Sequence, residues 1–549
     1  MIKEIVFSNY RAFEKGAIEI KPITILLGAN SAGKSSIMQL LLMLQQTAEC
    51  EDDYKSALKL NGRWVGLGES LNLLRGKDSK SKLSIKMSFD DEFLRSEIQD
   101  EIKKCYYDLA NIYSFCARER EQERSKIRKS SIIKTSFNYK NYLFGNSEFF
   151  IKEDVEFVNK LIDRCNTVLG SVFDKRNEND IAYHFFNSNV EILDLIKSVD
   201  HLKKLFVFLD MLKKRKIEQN FDVEFVLSLS TEKVFIIDSV LIKNNNRMLF
   251  TICLSGDNNN LLLHDDDNSL VINRILLEKD VFVASNTIFS FVNNRCKRDK
   301  KYIKPDVRFS MRIVEAILKR IKSCFDDKLI NYVSPLRAHP KRYYFLDKAN
   351  HSKSLDTLDG DALTEILKYN YLLRTQVNSW FRKFGISLEV STMKDIIHQL
   401  VVKQNSLSLD ITDVGFGISQ VLPVIIQGFL SVPNSLTLIE QPEIHLHPTM
   451  QADLADLFID IVSTNLDTQE KYLLIETHSE YLLKRLQRRI SEGRISAEDV
   501  AIYFIDPQSE GQSAHIDRLK IQDKGYFEWP KDFYSGELLN DTLVFLKNQ

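Results

Sequence analysis

Short apolar runs recur along the chain and are separated by polar or glycine-containing stretches. Runs of this length bounded by turn residues predict β-strands, because an alternating or fully apolar run suits a pleated surface buried on one or both faces. The strands predicted in this way cover residues 2–7, 17–20, 23–27, 83–89, 221–229, 234–242, 248–254, 435–440 and 471–476.

Longer apolar patterns predict helices. The runs 37–44 and 421–426 indicate buried helices, and residues 189–218 have an amphipathic pattern. No proline occurs between Pro22 and Pro305, and the stretch 77–384 contains only four glycines. Since proline and glycine are the residues that most often interrupt helices, much of the middle of the chain is predicted to be helical.

The change in proline and glycine content divides the sequence into three parts. Prolines return in the stretch Tyr332–Tyr343, so we place a boundary near residue 330. The predicted fold is an α/β ATPase head whose N-terminal part is residues 1–90 and whose C-terminal part is residues 331–549. A mainly helical insertion with some strands, residues 91–330, separates the two parts. A chain of 549 residues is long enough for two to four ordinary domains.

Composition and charge exclude several classes of protein. Hydrophobic residues make up 44% and charged residues 28%, which is typical of a globular chain. The formal net charge of −1 excludes a uniformly basic nucleic-acid binder, although a local basic patch stays possible. No apolar stretch approaches the roughly 20 residues that a membrane span needs. The seven cysteines are scattered and the N-terminus resembles a strand rather than a signal peptide, so we expect a cytoplasmic protein with reduced thiols.

Residues 22–35 join a predicted strand to a predicted helix through a glycine loop with the spacing Gly-x4-Gly-Lys-Ser. Glycines let the backbone approach phosphates, and successive N–H groups and the helix N-terminus attract anions. Lys34 is expected to reach the β- and γ-phosphates of ATP, and the Ser35 hydroxyl to ligate Mg²⁺. The alternative, a chance glycine turn, is disfavoured by the flanking strand and helix. The predicted nucleotide-binding residues of this loop are Gly28, Ala29, Asn30, Ser31, Ala32, Gly33, Lys34, Ser35 and Ser36.

A phosphate loop needs a carboxylate at the end of another buried strand, and Glu440 is the best candidate. It is expected to hold Mg²⁺ through bound water, although an acidic residue can also close an ordinary strand. Upstream, a second glycine loop with Gly415, Gly417 and Ser419 opens an apolar helix. Glycines and a serine at a helix start predict a second anion-binding position.

Arginine and histidine residues near these motifs leave two interpretations open. Arg11, between the first two strands, either contacts the nucleotide or is solvated. His478 follows a predicted strand and either contacts the γ-phosphate or lies beside a helix cap. His445 and His447 have a spacing that two metal ligands can share, but no carboxylate partner is assigned, so zinc is disfavoured.

Two charged runs in the predicted insertion are also ambiguous. The acidic run 265–267 is more typical of a turn than of a metal site. The basic residues within 295–304 could follow a phosphate backbone, but solvated loop lysines are the commoner interpretation.

In their order, these motifs resemble those of ABC-type ATPase heads. The Walker A loop, the signature-like loop Gly-x-Gly-x-Ser-Gln, the Walker B sequence Glu-Gln-Pro-Glu, the His-Leu-His-Pro loop and the switch histidine occur at 28–35, 415–420, 440–443, 445–448 and 478. Within that class, the chain resembles the AAA ATPases of the RecF, SMC and OLD branch. The stretches Ser334–Tyr343 and Gly525–Phe533 are similar to those of the PtuA family, the ATPases of Septu and retron-associated antiphage defence.

The resemblance implies cofactors, catalytic residues and partners. ATP and Mg²⁺ would be sandwiched in a head-to-tail homodimer, or a higher oligomer, with Gly417 and Ser419 facing the γ-phosphate held by the other protomer. The catalytic residues would be Glu440, Gln441, Glu443 and His478. A PtuB-like HNH nuclease would be the partner. In retrons, a reverse transcriptase and its RNA–DNA hybrid would join, so that nucleic acid is bound through the assembly.

Two departures from the related families change these expectations. ABC-type heads usually have a catalytic glutamate directly after the Walker B acid, and Gln441 occupies that position here, so we expect slow hydrolysis. OLD proteins carry a Toprim nuclease after the head, but the 71 residues that follow His478 contain no Asp-x-Asp sequence. We therefore expect no nuclease activity from this chain itself.

Two other functions remain open from the sequence. One is a RecF-like DNA-repair ATPase that binds DNA directly, for which salt-dependent DNA binding by the isolated chain would be diagnostic. The other is an ATP-locked scaffold with negligible turnover.

Overall fold

A computed structural model gives the structure of this protein. The described residues are 2–50, 54–103, 209, 212, 217–254, 259–264, 271–277, 282–292, 305–326, 328–337, 339–345, 362–394, 397–404, 407–463, 470–507 and 513–530. The charged runs 265–267 and 295–304, and almost all of the predicted amphipathic helix 189–218, lie outside these residues.

Strands and helices alternate along the described chain. The strands are β1 Ile2–Tyr10, β2 Phe13–Glu19, β3 Ile23–Gly28, β4 Leu83–Asp90, β5 Asn220–Leu229, β6 Phe235–Asn244, β7 Arg247–Cys253, β8 Asn259–His264, β9 Val271–Leu277, β10 Ile330–Val333, β11 Tyr344–Phe345, β12 Ile386–Lys394, β13 Ile397–Gln404, β14 Leu407–Asp410, β15 Leu436–Glu440, β16 Tyr472–Glu476, β17 Val500–Asp506 and β18 His515–Leu519. The longer helices are α1 Lys34–Ala48, α2 Pro305–Ser323, α3 Ala362–Tyr369, α4 Tyr371–Phe381, α5 Phe416–Leu430, α6 Pro448–Ser463 and α7 Glu480–Ser491.

The chain divides into two compact units. The first comprises Met1–Phe89, Glu224–Ile236 and Lys322–Gln549, and the second comprises Asp90–Val223 and Ile237–Ile321. Segments that are far apart in sequence therefore build the first unit, which contains every motif identified above except the two charged runs.

A mainly parallel sheet is the centre of the first unit. Its strand order is β10-β15-β16-β3-β17-β18, and only the edge strand β18 is antiparallel to its neighbour. Every residue of β3, β15 and β16 is buried. Continuous apolar runs of this kind are typical of parallel strands that are covered on both faces.

Helices of the C-terminal part of the chain cover one face of this sheet. Alternate residues of β3, namely Ile23, Ile25 and Leu27, belong to one buried cluster with side chains of α4, α5, α6 and α7. Since successive side chains of a strand point to opposite faces, the intervening residues of β3 lie on the other face. Because β3, β15 and β16 are parallel, their carboxyl ends lie at the same edge of the sheet.

Two smaller groups of strands belong to the first unit. β1 pairs antiparallel with both β2 and β4. β13 pairs antiparallel with β11, β12 and β14. The turn between β1 and β2 carries Arg11, which has a positive φ of 50°.

The described part of the second unit contains both strands and helices. β6, β7, β8 and β9 form an antiparallel meander. Residues 92–103 are helical, and Asp91 accepts a hydrogen bond from Leu94 N (2.8 Å) at the start of this helix and also pairs with Arg320 of α2. The strands predicted within the insertion at 221–229, 234–242 and 248–254 are present as β5, β6 and β7.

The α/β class predicted from the sequence is confirmed, and the predicted strand, glycine loop and helix at 23–48 are consecutive in the structure. Every strand predicted from an apolar run is present, most of them extended by one to three residues at an end. No helix among the described residues is long and apolar enough to cross a membrane.

Candidate functional site

The loop between β3 and α1 has a backbone that only glycine tolerates at two positions. Gly28 has φ of 143° and Gly33 has φ of 112°. A Cβ atom at Gly28 would lie 2.2 Å from the carbonyl oxygen of Ile505 on β17, and one at Gly33 would lie 2.7 Å from the Phe13 ring. Ala29, Asn30 and Ser31 at the tip are exposed, whereas Ala32 is buried. The loop is thus an open backbone cradle that leads into the N-terminus of α1, a combination suited to a phosphate group.

Lys34 is the first residue of α1 and is almost completely buried, with 3% of its surface exposed. Its Nζ donates hydrogen bonds to the carbonyl oxygens of Gly28 (3.1 Å) and Ala29 (2.8 Å) and lies 3.9 Å from Glu476 Oε1. Desolvation lowers the pKa of Lys34, while the charges of Glu476 and Glu443 oppose that shift. The ammonium is therefore held at the mouth of the loop by groups that an incoming phosphate can replace.

Glu476 ends β16 and contacts Ser35, the residue that follows Lys34 in α1. The Ser35 hydroxyl donates a hydrogen bond to Glu476 Oε2 over 2.9 Å. Desolvation raises the pKa of Glu476, whereas Ser35 and Lys34 stabilise its charged form. No role is predicted for Glu476 from the sequence alone, although Glu476 ends an apolar strand in the same way as Glu440.

Glu440 lies one strand further from the loop. In the parallel pair β15–β16 it is in register with Glu476, and its Oε1 accepts a hydrogen bond from the Tyr332 hydroxyl over 2.9 Å. Desolvation and the neighbouring charge of Glu476 raise the pKa of Glu440 to about 7. Two buried carboxyl groups side by side retain affinity for a cation or a proton.

Glu443 and His478 are brought together at the same edge of the sheet. Glu443 Oε1 accepts a hydrogen bond from the backbone N–H of His478 over 2.7 Å. Burial raises the pKa of Glu443, and desolvation together with the Lys34 charge lowers the pKa of His478. The exposed His478 side chain is hence mainly neutral at pH 7 and lies within the electrostatic range of Lys34.

Gln441 follows β15 in a left-handed backbone conformation, with φ of 44°. Its N–H donates to the Glu476 carbonyl oxygen over 2.8 Å, and its carbonyl accepts from Arg337 over 3.2 Å. Both sides of the residue are therefore held, which fixes the direction in which the chain leaves β15.

Arg337 connects this turn to the second glycine loop. The guanidinium is 5% exposed and donates to the carbonyl oxygens of Gln420 (3.2 Å), Glu440 (2.8 Å) and Gln441 (3.2 Å). Gln420 lies in the first turns of α5. The residues around Arg337 in the sequence do not predict these contacts, because its partners are 83 to 104 residues away.

The second glycine loop forms the N-terminus of α5, with exposed Gly415 as the N-cap residue. A Cβ atom at Gly417 would lie 2.7 Å from the His445 carbonyl oxygen, so the helix start packs closely on the His-Leu-His-Pro turn. Ser419, expected to face a second protomer, is 6% exposed in this chain. Gly415 is thus the more accessible residue of this loop.

Arg11 lies against the first turn of α1. Its Nη1 donates to the Ser36 hydroxyl oxygen over 3.2 Å and also to the side-chain oxygen of Gln39. The Tyr10 hydroxyl donates to the Ser36 carbonyl oxygen over 3.0 Å. The structure places Arg11 beside the first turn of the helix into which the phosphate loop leads, and contact between Arg11 and the nucleotide stays a prediction.

The two histidines of the His-Leu-His-Pro turn are exposed, and His447 Nδ1 accepts a hydrogen bond from Thr449 N over 3.3 Å. Across the described ranges, no cluster of three or more His, Cys, Asp or Glu residues is arranged for a metal ion. A magnesium ion that arrives with a nucleotide needs only one or two protein ligands, because phosphate oxygens and water complete its coordination. The Ser35 hydroxyl and the adjacent carboxyl groups fit that requirement.

The sequence matches the AAA ATPase domain family over residues 1–483. The chain belongs to this family. An AAA ATPase domain binds a nucleotide together with a divalent metal, and the glycine cradle, Lys34, Ser35 and the strand-end carboxylates are the groups that such binding requires.

Comparisons with other proteins add little to this assignment. No curated protein matches the chain significantly. Among solved structures, an SmcHead bound to the C-winged helix domain of ScpA matches with 9% identity over 95% of this chain and 98% of that chain, with a TM-score of 0.38. The SMC head domain from Thermotoga maritima matches with 7% identity over 95% and 99%, with a TM-score of 0.34.

Proposed function

We propose that this chain is an ATP-binding and ATP-hydrolysing regulatory subunit of a bacterial antiphage defence complex, and that it controls an HNH nuclease on another chain. The observation that carries the proposal is the buried contact of Lys34 with the loop carbonyls and Glu476. A ligand shifts a conformational equilibrium only through contacts that differ between two states. When phosphates bind Lys34, Glu476 loses the ammonium that lies beside it. Nucleotide binding therefore alters contacts at the end of β16.

ATP and Mg²⁺ are the ligands in this proposal. Lys34 engages the β- and γ-phosphates in place of the Gly28 and Ala29 carbonyls, and Mg²⁺ is held at Ser35. The charge of Glu443 raises the pKa of Lys34 and the charge of Lys34 lowers the pKa of His478, so both side chains lie within electrostatic range of Lys34. They are consequently the candidates to orient water at the γ-phosphate.

The proposal includes head-to-tail pairing of two chains around the nucleotide. Exposed Gly415 at the N-terminus of α5 offers backbone N–H groups to the γ-phosphate that the other protomer holds. Arg337 joins α5 to the turn after Glu440. Each head therefore links its own Walker B turn to the loop that it presents to its partner.

The nuclease is assigned to a second chain because this sequence contains neither a Cys-x2-Cys pair for a zinc-stapled HNH fold nor an Asp-x-Asp after His478. The similarity of Ser334–Tyr343 and Gly525–Phe533 to the PtuA family supports a PtuB-like nuclease. Of the tail aromatics, Phe527 and Trp529 pack on the core and on each other, whereas Tyr526 is 58% exposed. Of these three described aromatics, Tyr526 is hence the one available to a partner. In a retron, a reverse transcriptase and its RNA–DNA hybrid would complete the assembly.

Cleavage assays test this division of labour. The chain is purified alone and with a PtuB-like HNH nuclease, the partner in this proposal, and each sample is incubated with DNA and with tRNA in the presence of Mg²⁺. We expect cleavage only when the partner is present, and we expect Lys34→Ala in this chain to change that cleavage. Cleavage by the chain alone that is lost on mutating acids outside the nucleotide site would contradict the proposal. Tight, salt-dependent DNA binding by the chain alone would instead favour a repair ATPase.

Gln441→Glu is expected to accelerate ATP hydrolysis. An amide can orient a water molecule but cannot accept its proton, and a positioned general base contributes about 10²- to 10⁴-fold. We expect the parent to hydrolyse ATP slowly, well below tens per second. In single-turnover assays the variant should be faster by about tenfold or more. The minimum expected gain lies below the full contribution of a general base because the buried carboxyl neighbours raise the pKa of the new acid. Gln441→Asn, which adds no carboxylate, should give no gain. A Gln441→Glu variant no faster than the parent would show that this position does not limit turnover.

A further inference from the structure

The carboxyl group that contacts the Ser35 hydroxyl belongs to Glu476 and not to the Walker B-like Glu440. Ser35 Oγ donates to Glu476 Oε2 over 2.9 Å, and Glu476 is the last residue of β16, the strand directly beside β3. In the β16–β3 register Glu476 pairs with Leu26, two residues before the loop begins at Gly28. The sheet itself therefore places this carboxyl group under the first turn of α1.

Glu440 is separated from Ser35 by a full strand. The order β15-β16-β3 puts Glu476 between Glu440 and the loop. Because neighbouring strands lie about 4.8 Å apart, the backbone of Glu440 is about 10 Å from β3. Its carboxyl group is engaged on the opposite side by the hydroxyl of Tyr332, which belongs to the next strand, β10.

We propose that Glu476 is the carboxylate that positions the Ser35 hydroxyl for the divalent cation, and that Glu440 acts further away. This assignment rests on the proposed function, since it requires a nucleotide and Mg²⁺ at the loop. A serine hydroxyl can offer a lone pair to the cation only if its proton is directed elsewhere, and Glu476 accepts that proton in a hydrogen bond. Residues that orient a metal ligand in this way determine much of the affinity for the metal.

Glu476 also contacts the residue that would bind the phosphates. Its other oxygen, Oε1, lies 3.9 Å from Lys34 Nζ. Once Lys34 turns to the phosphates, this negative charge loses its nearest cation, and a divalent ion at Ser35 replaces that cation. Glu476 thus couples nucleotide binding to metal binding: it repels phosphates when no metal is present and favours them when a metal is bound.

The test measures the affinity of the full chain for a non-hydrolysable ATP analogue with Mg²⁺ and with EDTA, by titration calorimetry. In the parent, Mg²⁺ is expected to raise the affinity for the analogue. In Glu476→Gln this increase should be smaller by about tenfold or more. Its affinity in EDTA should equal or exceed that of the parent, because a negative charge near the phosphates is gone. Glu440→Gln should lose less of the Mg²⁺ gain, and Glu389→Gln, a surface carboxylate paired with Lys403, should lose none.

Two further measurements test whether the lost affinity is due to weaker metal binding through Ser35. Mn²⁺ bound with the analogue is followed by electron paramagnetic resonance, where Glu476→Gln should weaken Mn²⁺ binding. Ser35→Ala combined with Glu476→Gln should weaken binding by less than the product of the single effects, because both act through one hydrogen bond. An Mg²⁺ gain that survives Glu476→Gln, or a larger loss in Glu440→Gln, would overturn this inference. A parent that binds no nucleotide would overturn the proposed function instead.

Discussion

Lys34→Ala is expected to weaken ATP binding by roughly 100-fold while the chain stays folded. A charge-assisted hydrogen bond contributes about 1.5–3 kcal/mol, and about 1.4 kcal/mol corresponds to a factor of ten in affinity. In the proposed complex Lys34 exchanges two carbonyl partners for phosphate oxygens, so the variant loses at least two such bonds. Titration with a fluorescent ATP analogue measures the loss.

The structure also indicates why this variant should fold. Burial already lowers the pKa of Lys34, which means that the ammonium is not well compensated in the absence of phosphate. Glu476, whose pKa is raised, can take up a proton when its neighbour is removed. Lys21→Ala, which removes a lysine paired with Glu19 just before β3, is the matched control and should leave affinity unchanged. Equal affinities of Lys34→Ala and the parent would mean that the glycine loop does not bind phosphate.

The sequence was sufficient for those parts of the fold that have a local cause. The glycine loop was predictable because its spacing, its strand and its helix are consecutive, and the structure begins α1 at Lys34. The ends of β15 and β16 were predictable because each is a short apolar run closed by a glutamate. The β6–β7 hairpin was predictable in the same way, from two apolar runs joined by polar residues at 245–246.

Other elements depend on partners that are remote in sequence. β17 contains a buried run, 500–505, that was not predicted as a strand, and only its pairing with β3 shows that it lies beside the phosphate loop. The β12–β13 pair was also not predicted, although Ile386, Leu388 and Val390 of β12 alternate with polar residues. In the middle of the chain, the strands at 234–242 and 248–254 were predicted, but β8 and β9, which extend the same antiparallel meander, were not.

The same limit applies to the site. Lys34 and Ser35 could be assigned from spacing alone, but the Glu476 that contacts Ser35 lies 441 residues away. Glu440 was given the metal-binding role because it follows the stronger motif, and the strand order needed to compare it with Glu476 is a property of the folded sheet. Arg337 is 103 residues from the Glu440 carbonyl that it binds, and a lone arginine in a proline-rich stretch predicts nothing specific.

Arg337→Ala is expected to destabilise the first unit by about 3–5 kcal/mol, the largest stability effect among the described site residues. Leaving one buried polar group without its partner costs about 1–3 kcal/mol, and Arg337 satisfies three carbonyl oxygens at once. The pKa of Arg337 is lowered by burial to about 10, so part of the gain from these bonds is already offset in the parent. That offset keeps the expected loss below the sum of three full penalties.

The three tryptophans, Trp64, Trp380 and Trp529, all belong to the first unit, so fluorescence during denaturant unfolding reports on that unit. Arg342→Ala is a matched control from the same stretch, because Arg342 forms an exposed ion pair with Asp413 over 2.7 Å. Exposed pairs contribute about 0–1 kcal/mol, and the control should change the unfolding midpoint little. A similar midpoint for Arg337→Ala would show that its carbonyl contacts do not stabilise the unit.

Arg337→Lys separates stability from positioning. Lysine keeps the charge and can satisfy one or two carbonyls, but an ammonium cannot span α5 and the turn after β15 as a planar guanidinium does. We therefore expect partial recovery of stability, ATP affinity close to that of the parent, and a low kcat, because Gln441 and the start of α5 are no longer held in one arrangement. Full recovery of kcat in Arg337→Lys would show that only the positive charge of Arg337 is needed. A loss confined to kcat would support a role of Arg337 in holding the Walker B turn and the α5 loop in one arrangement.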